Sequence, residues 1–378
     1  MKKVWLLLAL SLLLTVSGCK RQSDPPAEEE FPPAVEETVK PAVPAGPLEV
    51  ETLRVEISRN AADTALVVRV ARELPDLLQT YFAEAQTPVN IGRVAVTVGA
   101  TPAATAQSLA QDGVDLAFLP AESFALGGGE AQVLLGNAPQ PAILPKGDST
   151  DIADWNRGEK TYAYAAADWV GGTGALICAA PTDYGRQLAK RAESGKNLTW
   201  TELDKARWGV LEEDSLGGYR CANLYLTDHY EGDTLADLSN VTVYDSYEDL
   251  LRAAANETVD IVVLRKDARM DVSAAWLQDL GRADENGLLG FGRTAPVWEE
   301  VRCIAVTETL YDTVAAVAPG REDLSGEAFA SALLQVLERL YEEEPELMGT
   351  LGSARFAPVN DEALDPLRRA LTVEGKTA

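Results

Sequence analysis

Residues 94–119 read VAVTVGATPAATAQSLAQDGVDLAFL, and three signals follow one another in that stretch. Val94 to Val98 is a β-branched run that suits a strand. Thr101 and Pro102 then form a helix start. The hydroxyl can accept from an orphan backbone N–H, and proline's missing N–H costs nothing at the first helical position. Gly113 ends the predicted helix. Val114 to Leu119 is apolar apart from Asp115, which suits a strand buried on both faces. Strand, helix and strand in this order make a βαβ unit.

The unit returns 145 positions later without a gap, in VTVYDSYEDLLRAAANETVDIVVL at 241–264. Val96-Thr97-Val98 falls on Val241-Thr242-Val243, Thr101 on Ser246, Val114-Asp115 on Val259-Asp260 and Leu119 on Leu264. Ser246 and Asp249 form a capping-box-like pair before a helix predicted at about 247–257. An α/β chain that repeats such a unit is expected to fold as two similar lobes with a cleft between them. In open parallel sheets ligands bind beyond the carboxyl ends of the strands, where helix N-termini present unpaired N–H groups. Thr101 and Ser246 are therefore candidate ligand-binding positions, and a polar, anionic solute is the expected ligand.

The chain has 378 residues and a formal net charge of −26. That acidity excludes nucleic acid and anionic lipid surfaces as partners and otherwise serves solubility. Beyond Cys19 the cysteines are Cys178, Cys221 and Cys303, without zinc-type spacing, and His229 is the single histidine. No metal and no cofactor is expected. An odd number of cysteines leaves at least one thiol free, and no pairing is assigned.

The first residues read as a secretory signal peptide. Lys2 and Lys3 precede an apolar run from Val4 to Val16, and small residues Ser17 and Gly18 precede Cys19. Val16-Ser17-Gly18-Cys19 resembles the lipobox of bacterial lipoproteins, which implies cleavage before Cys19 and acylation of its thiol. Seven prolines lie between Lys20 and Leu48 beside the run Glu28 to Glu30. Such a segment cannot bury enough apolar surface to order itself and reads as a tether. The expected organisation is a signal peptide at 1–18, a tether at 19–48 and a first lobe from 49 to 178. A second lobe follows at 179–302, then a return to the first lobe at 303–378.

Four further stretches carry a family resemblance. They are Gly113–Leu119 (GVDLAFL), Trp208–Tyr219 (WGVLEEDSLGGY), Tyr244–Arg265, and Arg355–Asp361 (RFAPVND). Together they resemble the phosphate/phosphonate/phosphite-binding proteins of ABC importers, with the type II periplasmic-binding-protein fold. That fold is a two-lobed α/β clamp of mixed, mainly parallel sheets joined by two hinge strands. The resemblance implies a monomeric, extracytoplasmic protein that binds a small phosphonate- or phosphate-like solute and delivers it to a membrane permease. It also implies that the loop after Trp208 cradles the ligand's oxygens. Ser215 keeps the first hydroxyl of the family's Ser-Thr-Ser-Gly-Tyr loop, and Gly218 and Tyr219 match its end. Leu216 and Gly217 stand where threonine and the second serine are expected. Tyr247 stands near the family's histidine, Arg265 near its second-lobe aspartate, and Pro102 in place of a binding tyrosine.

Arg265, past the strand at 260–264, has the geometry to bind a carboxylate or phosphate bidentately; a solvated loop arginine is the alternative. Glu122 and Ser123 follow the corresponding strand of lobe one and are candidates for a cationic or hydroxyl part of the ligand, against a plain surface loop. If Glu122 and Arg265 face each other, a zwitterionic solute is favoured. Ala175–Ala179 and Val301–Val306 are the expected hinge segments, with Cys178 and Cys303 either bridged or buried and reduced. Apolar residues at 329, 333, 336, 337 and 340 predict an amphipathic helix packing on lobe one.

An enzyme is disfavoured. No Gly-x-Ser-x-Gly elbow and no phosphate-loop motif occurs, and His229 suits a helix end better than a catalytic base. A ligand-sensing or scaffold lipoprotein with the same fold and no transporter is the alternative.

Overall fold

The computed structural model describes residues 46–59, 64–138, 142–145, 150–157, 160–163, 172–284 and 287–373. The expected signal peptide, the acylation site Cys19 and the tether up to Ala45 lie outside the described residues. Among the described residues no helix is long and apolar enough to cross a membrane. Leu48 already lies in a strand, Leu48–Val50, paired in parallel with Val89–Ile91.

Two mixed sheets carry the chain. The first has six strands in the order Phe356–Pro358, Gln132–Asn137, Thr313–Val317, Leu116–Pro120, Leu53–Ile57 and Val94–Val98. The second has five, in the order Val241–Val243, Trp208–Val210, Ile261–Arg265, Thr173–Ala179 and Arg302–Leu310. In each sheet three parallel strands are followed by one antiparallel to them. The repeat read in the sequence fills matching places: Val94–Val98 and Val241–Val243 are edge strands, and Leu116–Pro120 and Ile261–Arg265 each border the antiparallel strand.

Local chemistry accounts for these elements. Thr101 accepts the Ala104 N–H at 3.1 Å and caps the helix Pro102–Ala110, with proline in its first turn. Ser246 accepts the Asp249 N–H at 3.1 Å and caps the helix Tyr247–Ala255. The strand predicted from Val114 begins at Leu116, with Asp115 clasped just before it. Arg54 donates to it from its backbone N–H at 2.7 Å and from Nη2 at 2.6 Å. The helix Glu327–Glu343 buries Phe329, Leu333, Val336, Leu337 and Leu340, as its spacing predicts, and Phe329 stacks on Phe82 of the helix Thr64–Glu84 at 6.1 Å.

Thr173–Ala179 and Arg302–Leu310 run side by side, with Cys178 opposite Cys303. Both strands belong to the second sheet. The chain passes to the first sheet between Leu310 and Thr313. Cys178, Cys221 and Cys303 are all free and buried, so no bridge joins the paired cysteines.

One apolar cluster crosses from sheet to sheet. It joins Leu109, Leu119 and Phe124 of the first half to Trp208, Leu224 and Val263 of the second. The final helix, Asp365–Thr372, supplies Leu367 and Ala370 to this cluster, and its Arg369 pairs with Asp228 at 2.6 Å.

Candidate functional site

The strand directions decide where a ligand could sit. In the first sheet the parallel strands end at Ile57, Val98 and Pro120, and Thr313 lies opposite Pro120. In the second they end at Val210, Val243 and Arg265, and Arg265 lies opposite Ala175. Leu310 pairs with Thr173 at that same end. Both sets of carboxyl ends therefore open toward the passage Leu310–Thr313, and the loops that follow them face one another there.

The second half contributes a tight cluster. Ser215 ends the loop after Trp208–Val210 and accepts the Gly218 N–H at 3.1 Å, starting the turn Leu216–Arg220. Gly217 is buried beneath it. A Cβ there would lie 2.9 Å from Thr173 Cγ2, 3.0 Å from the Tyr247 hydroxyl and 3.1 Å from Arg265 Cβ. A serine side chain at 217 would crowd all three, which fits the missing hydroxyl of the loop. Burial pushes the Tyr247 hydroxyl up, with Ser215 and Arg265 pulling it partway back. The Arg265 guanidinium stands 5.7 Å from the Tyr247 ring centre.

Lys266 and Asp312 sit at the crossing itself. Lys266 Nζ donates to the Thr307 carbonyl at 2.8 Å and to Thr309 Oγ1 at 3.2 Å, where the strand Arg302–Leu310 loses register. Its chain lies over Gly174, where a Cβ would be 2.7 Å from Nζ. Burial among neutral acceptors pushes its ammonium down to about 8. Asp312 is pushed up by burial and drawn partway back by Thr173. Neither residue was a candidate from sequence, because lysine beside arginine and aspartate beside tyrosine carry no motif.

The other expected residues divide. Glu122 lies in the first turn of the helix Ala121–Gly127, with Ser123 next to it. Glu122 does not face Arg265. Arg265 pairs with Asp271 at 2.5 Å, and Glu122 meets Arg220 Nη2 at 3.4 Å. Thr101 and Ser246 spend their hydroxyls as helix caps. Tyr219 lines a hollow together with Glu212, Glu213 and Asp214, which Arg265 does not line. His229 is the last residue of the helix Cys221–His229, its Nδ1 2.8 Å from the Tyr225 carbonyl and its ring stacked on Tyr225 at 4.0 Å.

A family model described as the periplasmic substrate-binding protein of a phosphonate ABC transporter matches residues 78–364. The chain belongs to that family. As a member of the phosphonate-binding family it is a substrate-binding transport protein located outside the cytoplasm, not an enzyme, and it works with an ABC permease. Its two mixed sheets flanked by helices give it the type II periplasmic-binding-protein fold.

The Mycoplasma hyorhinis protein Mh-p37 is 11% identical with a TM-score of 0.52, covering 85% of this chain and 99% of that one, and shares its fold. A Prochlorococcus marinus protein in complex with methylphosphonate is 11% identical, with a TM-score of 0.37 over 85% of this chain and 97% of that one. A binding-protein component of a phosphonate transporter from Pseudomonas aeruginosa gives 11% identity and a TM-score of 0.37 over 85% and 86% of the two chains. A comparison with curated proteins finds no matching sequence.

Proposed function

We propose that this member of the phosphonate-binding family is a lipid-anchored clamp that takes a small anionic or zwitterionic solute between its two lobes. One observation carries the reading: the carboxyl ends of both parallel strand sets open on the same crossing, Leu310–Thr313. Loops there carry Arg220 and Arg265, each paired with one carboxylate, Glu122 and Asp271, and the part-buried Lys266. An arginine that can exchange a protein carboxylate for one on the solute suits an oxyanion better than a neutral or cationic solute. Ser215, Gly217, Gly218 and Tyr247 then form one wall, and Glu122 with Ser123 the other. Thr101 and Ser246 hold helix starts at the cleft rim.

The lobe boundaries are part of this proposal. The second lobe would run from about Gly172 to Tyr311, since Thr173–Ala179 and Arg302–Leu310 both lie in the second sheet. Cys19 would carry the lipid and the proline-rich segment after it would hold the clamp off the membrane as a monomer.

Thermal unfolding with methylphosphonate, inorganic phosphate, aminoethylphosphonate and amino acids tests the clamp. A solute held at a hundredfold excess over its Kd should add about 2.7 kcal/mol, a rise of a few degrees. No response to any of these oxyanions, with no binding heat, would overturn the reading. Incorporation of labelled palmitate that is lost in Cys19→Ala tests the anchor.

A further inference from the structure

The cation best placed to receive a ligand is neither Arg265, which the sequence nominated, nor its neighbour Lys266. Arg265 already holds Asp271 at 2.5 Å, and Lys266 is spent on the Thr307 carbonyl and Thr309. Arg220 is different. It ends the turn that begins at Ser215, and its side chain is 21% exposed. Its sole ion-pair partner among the described residues is Glu122, at 3.4 Å. Its Nε is fully buried and finds no acceptor among the described residues. A guanidinium presents five N–H donors, and a buried donor left unbonded costs as much as a lost hydrogen bond. This one is under-satisfied at the place where both strand sets open.

Glu122 reaches it from the other side. It belongs to the helix that follows the first-sheet strand Leu116–Pro120, whereas Arg220 follows the second-sheet strand Trp208–Val210. The contact is long, part-exposed and made by one carboxylate oxygen on one nitrogen, a weak geometry for an arginine whose fork suits bidentate oxyanions.

We infer that Arg220 is the oxyanion-recognising residue of the cleft and that the Glu122 carboxylate occupies its place until a solute oxyanion displaces it. This rests on the clamp reading above and adds the residue that sets its anion affinity. Glu122 is then a built-in competitor. It keeps Arg220 oriented when no solute is present and makes the cleft reject weak anions that cannot outbid one carboxylate. The solute class is a small organic acid with at least two oxygens on one centre, a phosphonate or a carboxylate.

Isothermal titration of the wild type, Glu122→Gln, Arg220→Gln and Arg220→Lys with methylphosphonate and with propionate tests this. Glu122→Gln should bind the responding acid about threefold to fivefold tighter, the scale of losing a part-exposed ion pair. Arg220→Gln should weaken it by about tenfold to a hundredfold. Arg220→Lys, which keeps the charge and the space, should fall between and guards against misfolding. A responding acid that Glu122→Gln binds no tighter than wild type, or that Arg220→Gln binds equally well, overturns the inference and leaves the clamp in place. Absence of heat from all four proteins with both acids overturns the inference as well, and a melting shift with another solute class would then keep the clamp alone. Preference for methylphosphonate over propionate, or the reverse, assigns the acid.

Discussion

Asp115 and Asp260, 145 residues apart, are held by the same clasp. Each receives a backbone N–H, an Nε and an Nη2 from one arginine, Arg54 for Asp115 and Arg207 for Asp260. Each returns its own N–H to that arginine's carbonyl, at 2.9 and 2.7 Å, and gives its carbonyl to the residue after the antiparallel strand, Ala318 or Ala180. The clasp ties three strands of each sheet together before the cleft loops begin.

These carboxylates contribute to the acid sensitivity of the fold. Burial disfavours their charge, but hydrogen bonds from Arg54 and Arg321, and from Arg207 and Thr182, outweigh it and hold both below the ordinary value of 3.8. Their stabilisation is therefore fully present above the unfolded value and is lost as pH falls through the lower folded one. Asp115→Asn should cost about 3 kcal/mol at neutral pH and flatten the fall in melting temperature below about pH 4. Circular-dichroism melts across that range would show it; an acid slope unchanged from wild type would count against the clasp.

Gly217→Ala should destabilise by about 1–3 kcal/mol, since the new methyl meets Thr173, Tyr247 and Arg265 at once. Gly349→Ala, with nothing within 4 Å of the added carbon, is the control and should melt like wild type. Equal melting temperatures for the two variants would mean the Ser215 turn is looser than its packing implies.

Lys266 gives a signature at high pH. Its folded value is pushed down to about 8 from the ordinary 10.5, so burial of its charge costs stability below that pH. Between about 8 and 10.5 the unfolded chain still binds the proton and the folded one does not, so stability rises with pH there. Lys266→Met should remove that rise, which amounts to at most about 3 kcal/mol. Denaturant unfolding at both ends of the window, wild type against variant, measures the difference.

The three thiols should be silent in the folded protein. Burial pushes Cys221 up to about 12 and raises Cys303 well above the ordinary thiol range. A disulfide-exchange reagent should titrate none of Cys178, Cys221 and Cys303 before unfolding and all three after it. Recovery of only one after unfolding would reveal a bridge between the strand partners Cys178 and Cys303.

Local signals were the legible part. The caps at Thr101 and Ser246, the buried runs and the 329–340 periodicity depend on residues within a turn or two, so pattern alone placed them. The Arg54–Asp115 clasp spans 61 positions and could not be read before the strands were in order. The ion-pair partners of the cleft charges were illegible for the same reason. Asp271, the partner of Arg265, lies beyond its strand, and Glu122, the partner of Arg220, lies 98 positions away in the other sheet's half. Gly217 read as a lost hydroxyl. Its three close neighbours come from separate segments, and only their convergence explains it.

The position of Thr313–Val317, wedged between Leu116–Pro120 and Gln132–Asn137, orders the birth of the molecule. A chain crossing a membrane amino end first delivers both neighbours of that strand long before the strand itself. Their inner edges, lined by Leu116 to Leu119 and Val133 to Leu135, must wait unpaired while nearly two hundred residues follow. The inserted half has all its strands by Leu310 and can close first, so the earliest sequence to emerge is the last to settle. Through that interval the newly exported protein is most exposed to proteases and to mispairing, and rescue by a periplasmic or surface chaperone would matter most then.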